Sequence, residues 1–451
     1  MEPDNYQRAY TAVQRAIRLS ANTTDKEKAL INALAKRYSA QPVDDRTPYD
    51  QSYSQALKQI HQRFPDDPNI AALYVESIMD LHPWDLWDKG GKARPWTPEI
   101  LGRLEDIMVS HPGHIAAHHF YIHAVEASKT PERGLKSAEV LGKLAPNASH
   151  LVHMPSHIYI RTGYYHEGSL VNRRAVEVDS AYITGCSAQG AFPLTYFPHN
   201  YHFLAATATL EGNSDWAITA ADKVAENTNK RLMAEPGWGT LQHYYTIPYH
   251  VAIKFGRWNE ILRRAEADTV SLKYPTAIRH YARGMAFASQ RKAAQARAEL
   301  KKLEQLVTDP DIAKLTIWDI NSMTAILEIA RRVLEAEILS LEKDFAGSAR
   351  LLREAVALED QLNYNEPPDW FFSVRHSLGQ VLLRAGRYAE AEAVYQQDLA
   401  KFPKNGWALS GLYISQHSQG QEAEARQTRA ALNKAWEWAD PNLKGSTEPI
   451  I

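Results

Sequence analysis

The chain has one cysteine, Cys186, which excludes an internal disulfide and any cysteine-built zinc or iron–sulfur site. It has no uninterrupted apolar stretch of the roughly 18 residues that a spanning helix needs. It also lacks an excess of charge of either sign. The 51 Lys+Arg and 53 Asp+Glu leave a net charge of −2, which argues against a basic nucleic-acid binder. No stretch sustains the apolar–polar alternation and β-branched enrichment of strands. The opening MEPDNYQRAYTAVQRAIRLS lacks the apolar core and cleavage site of a signal peptide. These absences predict a cytoplasmic protein, or a periplasmic one if a leader has been removed, with neither membrane nor nucleic acid among its partners. The lone thiol has no motif around it that would make it a nucleophile.

What is present is a hydrophobic content of 44% and a charged content of 23% in 451 residues, enough for a real core. The length suits two or three domains or one continuous repeat array. Almost every segment reads as an amphipathic helix of about 12–16 residues ended by Gly, Pro or Asn, so the chain is expected to be all-α. Two segments break the pattern. HPWDLWDKGGKARPWTP (82–98) reads as a long aromatic loop, and 182–198, with Gly185, Gly190, Pro193 and Pro198, as a second irregular stretch. Each is either a lid or a packed corner.

Histidine stands out by its clustering. Eight of the 18 fall between residues 111 and 157, in HPGHIAAHHFYIHAVE and HLVHMPSHIYIRTGYY. Read as helices, these strings put His119, His123 and Glu126 on one stripe and His150, His153 and His157 on another, because residues three and four apart share a helix face. Two such stripes on neighbouring helices would build a protein-made metal site. A lone buried histidine is usually a satisfied core residue. Clustering on one face is what argues for ligation here.

The string SLGQVLLRAGRYAEAEAVYQQDLAKFP resembles the tetratricopeptide repeat, a helical hairpin of roughly 34 residues. Leu378, Gly379, Leu382, Gly386, Ala391, Tyr395 and Pro403 carry the likeness, while Asp398 stands where a small residue is usual. Gly163, Gly212 and Gly256 look like inter-helix turns of weaker upstream repeats. The implied fold is an all-α tetratricopeptide-like helical-repeat solenoid, an α–α superhelix. It divides into N-terminal helices (1–68), His-rich repeats forming a metal-binding groove (69–260), and C-terminal repeats with a cap (261–451). The segment EPPDWFFSVRHSLG (366–379) reads as a structured entry into the last good repeat, where Trp370 and Arg375 either close the groove or, as the favoured reading, cap the solenoid.

In tetratricopeptide arrays the first helix of each hairpin lines the concave groove. The resemblance therefore implies that four consecutive helices aim imidazoles into one groove: His119 and His123 with Glu126; His150, His153 and His157 with Arg161; His199 and His202; and His243 and His250 with Lys254. His111, His114, His118 and His166 fall off these stripes and read as caps, turns or surface. His61, His82, His280, His376 and His417 carry no signal. HPG, IHAVE, HLVHMPSHIYIRTGYY, HNYHFL and FGRWNEIL together resemble a group of bacterial tetratricopeptide-repeat proteins, over roughly 65–440. Members of that group carry further N-terminal helices, often behind an export signal.

The expected ligands are His119, His123, Glu126, His150, His153, His157, His199, His202 and His250, holding one or two transition ions. Imidazoles with one carboxylate suit copper, iron or zinc and disfavour magnesium and calcium. The leading expectation is a metal-dependent enzyme that oxidises a small molecule, with Glu126 as ligand or general base and Arg161 as a clamp for an anionic substrate. A zinc-dependent hydrolase is the alternative, although HEXXH is absent. A non-enzymatic scaffold that binds a partner peptide is the third.

Overall fold

The computed structural model describes residues 3–186, 192–264 and 272–444. The chain divides into two compact units, Met1–Ala145 and Pro146–Ile451. The first holds α1 (Pro3–Leu19), α2 (Asp25–Ala35), α3 (Thr47–Arg63), α4 (Pro68–Leu81), α5 (Thr97–Ser110), α6 (Ile115–Glu126) and α7 (Leu135–Leu144). The second holds α8 (Ser149–His153), α9 (Pro155–Thr162), α10 (Tyr165–Cys186), α11 (Phe197–Glu211), α12 (Ser214–Glu226), α13 (Gly239–Lys254) and α14 (Trp258–Arg263). It continues with α15 (Lys273–Ser289), α16 (Ala293–Val307), α17 (Met323–Leu341), α18 (Phe345–Gln361), α19 (Val374–Arg384), α20 (Tyr388–Lys401), α21 (Gly406–Ser418), α22 (Glu422–Ala435) and α23 (Pro441–Lys444). The strand pair β1 (Thr316–Ile317) and β2 (Asn321–Ser322) makes one small hairpin. The all-α expectation holds.

In the second unit the helices form consecutive hairpins, each packed on the next. Helices α11, α13, α15, α17, α19 and α21 make an inner layer in which each also touches its inner neighbour. That double contact is the packing of a helical-repeat solenoid. Every residue of α13 except Tyr245 is buried. The turns behave as their sequence predicts. Gly163, Gly212, Gly256 and Gly386 sit between paired helices with φ of +76°, +83°, +64° and +70°, the left-handed cap that glycine adopts without steric cost. Arg291 and Lys343 take the same conformation in two repeats that have no glycine there.

The array closes on itself. Helix α21 meets α11, and the Trp407 indole donates to the Thr209 carbonyl at 2.8 Å. The Tyr165 hydroxyl donates to the Pro403 carbonyl at 2.8 Å, and the Asp440 amide donates to the Gly212 carbonyl at 2.9 Å. The end of the second unit is thus capped by its own beginning. The segment 366–379, read as the cap, lies elsewhere: Trp370 and Phe371 are buried against histidines of the inner helices.

One of the two irregular segments is described in full. Loop 82–98 is a packed tryptophan corner. Trp96 stacks on His82 at 3.5 Å and donates to the Asp85 carbonyl, and Trp87 donates to the Ala124 carbonyl. Only the first few and last few residues of 182–198 are described: α10 runs through Gly185 to Cys186, and α11 begins at Phe197. Gly190 lies outside the described residues.

Candidate metal centre

Pro155 cannot donate a helix hydrogen bond, and at this point the histidine-bearing stretch breaks into α8 and α9. His153 ends the first piece and His157 lies in the first turn of the second. The His153 Nε2 and His157 Nε2 atoms are 3.0 Å apart. His199, near the start of α11, brings its ring centroid to 4.9 Å from that of His153 and 5.9 Å from that of His157. One ring nitrogen from each of the three lies within 4.8 Å of the others. Phe203, one helical turn beyond His199, packs against all three rings. His153 and His157 are buried and His199 is half-buried, so the group opens on one side.

The outer nitrogens decide what the inner ones are. The Asn172 amide nitrogen donates to the Gly168 carbonyl, which turns its Oδ1 toward His153 Nδ1, 2.7 Å away. His153 Nδ1 is therefore the protonated nitrogen. His157 Nδ1 lies 3.0 Å from Glu366 Oε2 and donates to that carboxylate. Both Nε2 atoms are then lone pairs pointing at each other. Burial, reinforced by the neighbouring imidazoles of His157 and His199, pushes His153 well below the usual imidazole range. Two facing lone pairs repel unless a cation sits between them. An ion held at about 2.0–2.1 Å keeps two imidazole nitrogens about 2.8–3.0 Å apart at a right angle and about 3.3–3.4 Å apart at a tetrahedral angle. The observed 3.0 Å matches the right-angled arrangement. A histidine tied through its far nitrogen to a carboxylate or amide is the usual outer shell of a metal site.

The remaining expected residues divide into groups. His150 stands beside the trio, its ring 6.3 Å from that of His153 and edge-on to Tyr196. His202 and His250 do not join it. They lie with His243 in a separate buried group on α11 and α13. His119, His123 and Glu126 lie on α6 of the first unit. The first two rings are 5.0 Å apart, and His123 Nδ1 is 3.3 Å from Glu126 Oε1. Arg161 lies on α9, its guanidinium 5.3 Å from the Tyr364 ring centre.

Lys254 corrects its expected role. It is buried over Trp407 with its Nζ 3.0 Å from His376 Nδ1, so it does not reach an open groove beside His250 as expected. His376, which carried no signal, donates onward to Asp398 at 2.9 Å. His114 caps α6, accepting from the Ala117 amide, and His118 is satisfied by Ser137 and the Pro112 carbonyl.

Glu366 was missed. Its segment bridges α9 and three inner helices: Glu366 to His157 on α9, Phe371 stacked on His202 of α11, and Trp370 against His250 of α13 and Tyr281 of α15. Asn321 donates to Asp369 at 2.7 Å and fixes the segment from the other side. The WFF run after two prolines was the only available cue that this stretch packs inward.

No family model matches the chain, and no curated protein does. Among solved structures it is similar to the Cut9–Hcn1 hetero-tetramer of APC/C, with 14% identity over 96% of this chain and 77% of that one, at a TM-score of 0.38. A human IFIT1 dimer with m7Gppp-AAAA matches at 11% identity over 96% and 86%, TM-score 0.36. Yeast Tom70 matches at 13% identity over 89% of this chain and 66% of its own, TM-score 0.32. Likeness at this level carries no inference about activity. The hairpins themselves make the second unit a tetratricopeptide-like helical-repeat array.

Proposed function

We propose that the second unit is the core of a metal-dependent enzyme that holds a transition ion on His153, His157 and His199 and oxidises a small-molecule substrate. The observation that carries this reading is the pair of facing Nε2 lone pairs, fixed by Asn172 and Glu366. Three protein ligands leave a coordination position for substrate, as catalytic sites do. The half-buried edge of His199 is where substrate enters, and Arg161, one turn beyond His157, is its anion clamp. Phe203 keeps water from beneath the three rings. A structural role for the ion is disfavoured because the array already closes its own core.

Bound copper or iron supplies redox chemistry, and zinc would supply Lewis acidity instead. A zinc hydrolase also needs a general base beside the ion. Within the second unit the carboxylate at this site, Glu366, is engaged by His157, which favours oxidation. A peptide scaffold is less well supported, because residues 362–373 lie along the inner helices where a peptide would run.

The first measurement is metal per chain with an absorption spectrum, on protein purified without a metal-affinity column. Copper or iron near stoichiometry, with substrate-dependent oxygen consumption, is the expected result. Zinc moves the reading to hydrolysis. Peptide binding unaffected by chelation, in protein that takes up no metal, replaces it with the scaffold. His153→Ala loses the ion while helicity stays at the wild-type level.

A further inference from the structure

Glu366 orients His157, and something must in turn orient Glu366. Residues 362–373 have no regular secondary structure, so neither a helix nor a strand ladder holds the carboxylate in place. One side chain from β2 clasps the segment instead. Asn321 is buried. Its Nδ2 donates to the Asn363 carbonyl at 2.9 Å and to Asp369 Oδ2 at 2.7 Å, and its Oδ1 accepts from the Asn363 amide at 2.8 Å. A single amide thus pairs with both backbone groups of Asn363, as a neighbouring strand would, and takes Asp369 as well. Asn365 Nδ2 donates to the other oxygen of Asp369 at 2.7 Å, and Asn365 Oδ1 accepts from the Glu366 amide at 3.0 Å.

Asp369 stands three residues beyond Glu366, and both residues between them are prolines. Proline fixes φ, so this short span has few ways to move once Asp369 is seated. The hairpin that carries Asn321 is itself anchored, because the Trp318 amide donates to the Thr240 hydroxyl at the start of α13 at 2.8 Å. Its turn holds Trp318 and Asp319 at φ of +53° and +56°. A tryptophan rarely adopts that left-handed conformation, which persists only where the surroundings over-determine it.

We infer that Asn321 is a positioning residue for the metal site: through Asp369 and the two prolines it holds the Glu366 carboxylate on His157 Nδ1, which keeps the ligating Nε2 free of a proton. Its action reaches His157 only through Glu366. The consequence for ion binding rests on the function proposed above, whereas the tautomer is a property of the metal-free chain.

The test is the His157 tautomer, read from the ¹⁵N shifts of both ring nitrogens in full-length, metal-free protein with labelled histidine, the signals being assigned from His157→Gln. The wild type is expected to carry its proton on Nδ1. Asn321→Ala is expected to move His157 toward the Nε2–H form and to weaken Zn²⁺ binding about tenfold against a competing chelator, the low end of losing an outer-shell partner. His153, held by Asn172, keeps its Nδ1 proton in the variant, which a general loosening of the structure would not allow. Asn365→Ala, at a half-buried position, acts in the same direction and decides the matter should Asn321→Ala not fold. Variants that leave the proton on His157 Nδ1 overturn the role of Asn321, whatever they do to thermal stability, and leave the ion site standing. A wild-type His157 protonated at Nε2, alone or together with Nδ1, overturns the inference and the ion site together.

Discussion

Asn172 lies on α10, away from the histidine-bearing helices, yet it determines which nitrogen of His153 holds the proton. Its amide is oriented by the Gly168 carbonyl, its own helix one turn earlier, and no rotation of the amide serves both partners equally. Replacing it by leucine removes that control without a large change in volume. Asn172→Leu is expected to weaken metal binding about 10–100-fold, the usual effect of losing an outer-shell partner, with little loss of helicity. Titration with a competing chelator measures it; unchanged affinity would show that the tautomer is set by something else. Asp179 works in a similar way. It accepts from Asn200, the neighbour of His199, at 2.7 Å and so seats the start of α11. None of this could be read from the sequence. The histidine spacing of three and four is local and survives any reading of the chain, whereas Asn172 and Glu366 matter only through the residues they meet. Glu366 meets a histidine 209 positions away.

At the scale of elements, the repeat that matched its motif best shows why the motif exists. A methyl group on Gly379 would stand 2.4 Å from the Tyr395 ring, and one on Gly411 would stand 2.1 Å from it. Tyr395 of α20 is thus wedged against the bare backbones of α19 and α21. Alanine is favoured over glycine inside a helix by about 1 kcal/mol, but overpacking typically costs about 1–3 kcal/mol. Gly379→Ala is expected to destabilise the protein by about 1–2 kcal/mol net, read from the urea midpoint. A neutral or stabilising result would mean that the tyrosine has room to move. Turn glycines and paired helices were legible because they follow from periodicity, whereas a shared groove for the histidines was implied only by the resemblance. The role of 366–379 was not. A Pro-rich aromatic stretch before the last good repeat looks the same whether it closes an end or lines the interior.

Closure of the second unit places a titrating network at its seam. Lys254 on α13 reaches His376 on α19, which reaches Asp398 on α20, which also accepts from Asn405. Burial pulls Lys254 down to about 7, partly offset by the Asp398 charge, and His376 is lowered by burial and by Lys254. Burial pushes the Asp398 carboxylate up, but the charge and hydrogen bond of His376, with hydrogen bonds from Ser373 and Asn405, hold it at about 2. For a base with a depressed folded pKa, the unfolded chain holds the extra proton between the folded and unfolded values. Stability therefore rises with pH across that window. From about pH 7 to about pH 9.5 the Lys254 contribution to unfolding free energy grows by about 3 kcal/mol. Urea unfolding at the two pH values checks it, and Lys254→Met should flatten the rise. An equally steep rise in the variant would place the titrating group elsewhere.

An array whose last hairpin completes its first cannot finish folding in the order in which it is made. The Tyr165 hydroxyl waits for a carbonyl 238 residues later, and Trp407 must find the Thr209 carbonyl across 198 residues. Glu366 likewise reaches His157 only when most of the chain has left the ribosome. Until then the His157 tautomer is not fixed, although Asn172 can already hold that of His153. For the metal site proposed above, tight capture of an ion would then belong to the final moments of synthesis, and the metal would be chosen from whatever the compartment offers to a nearly finished protein.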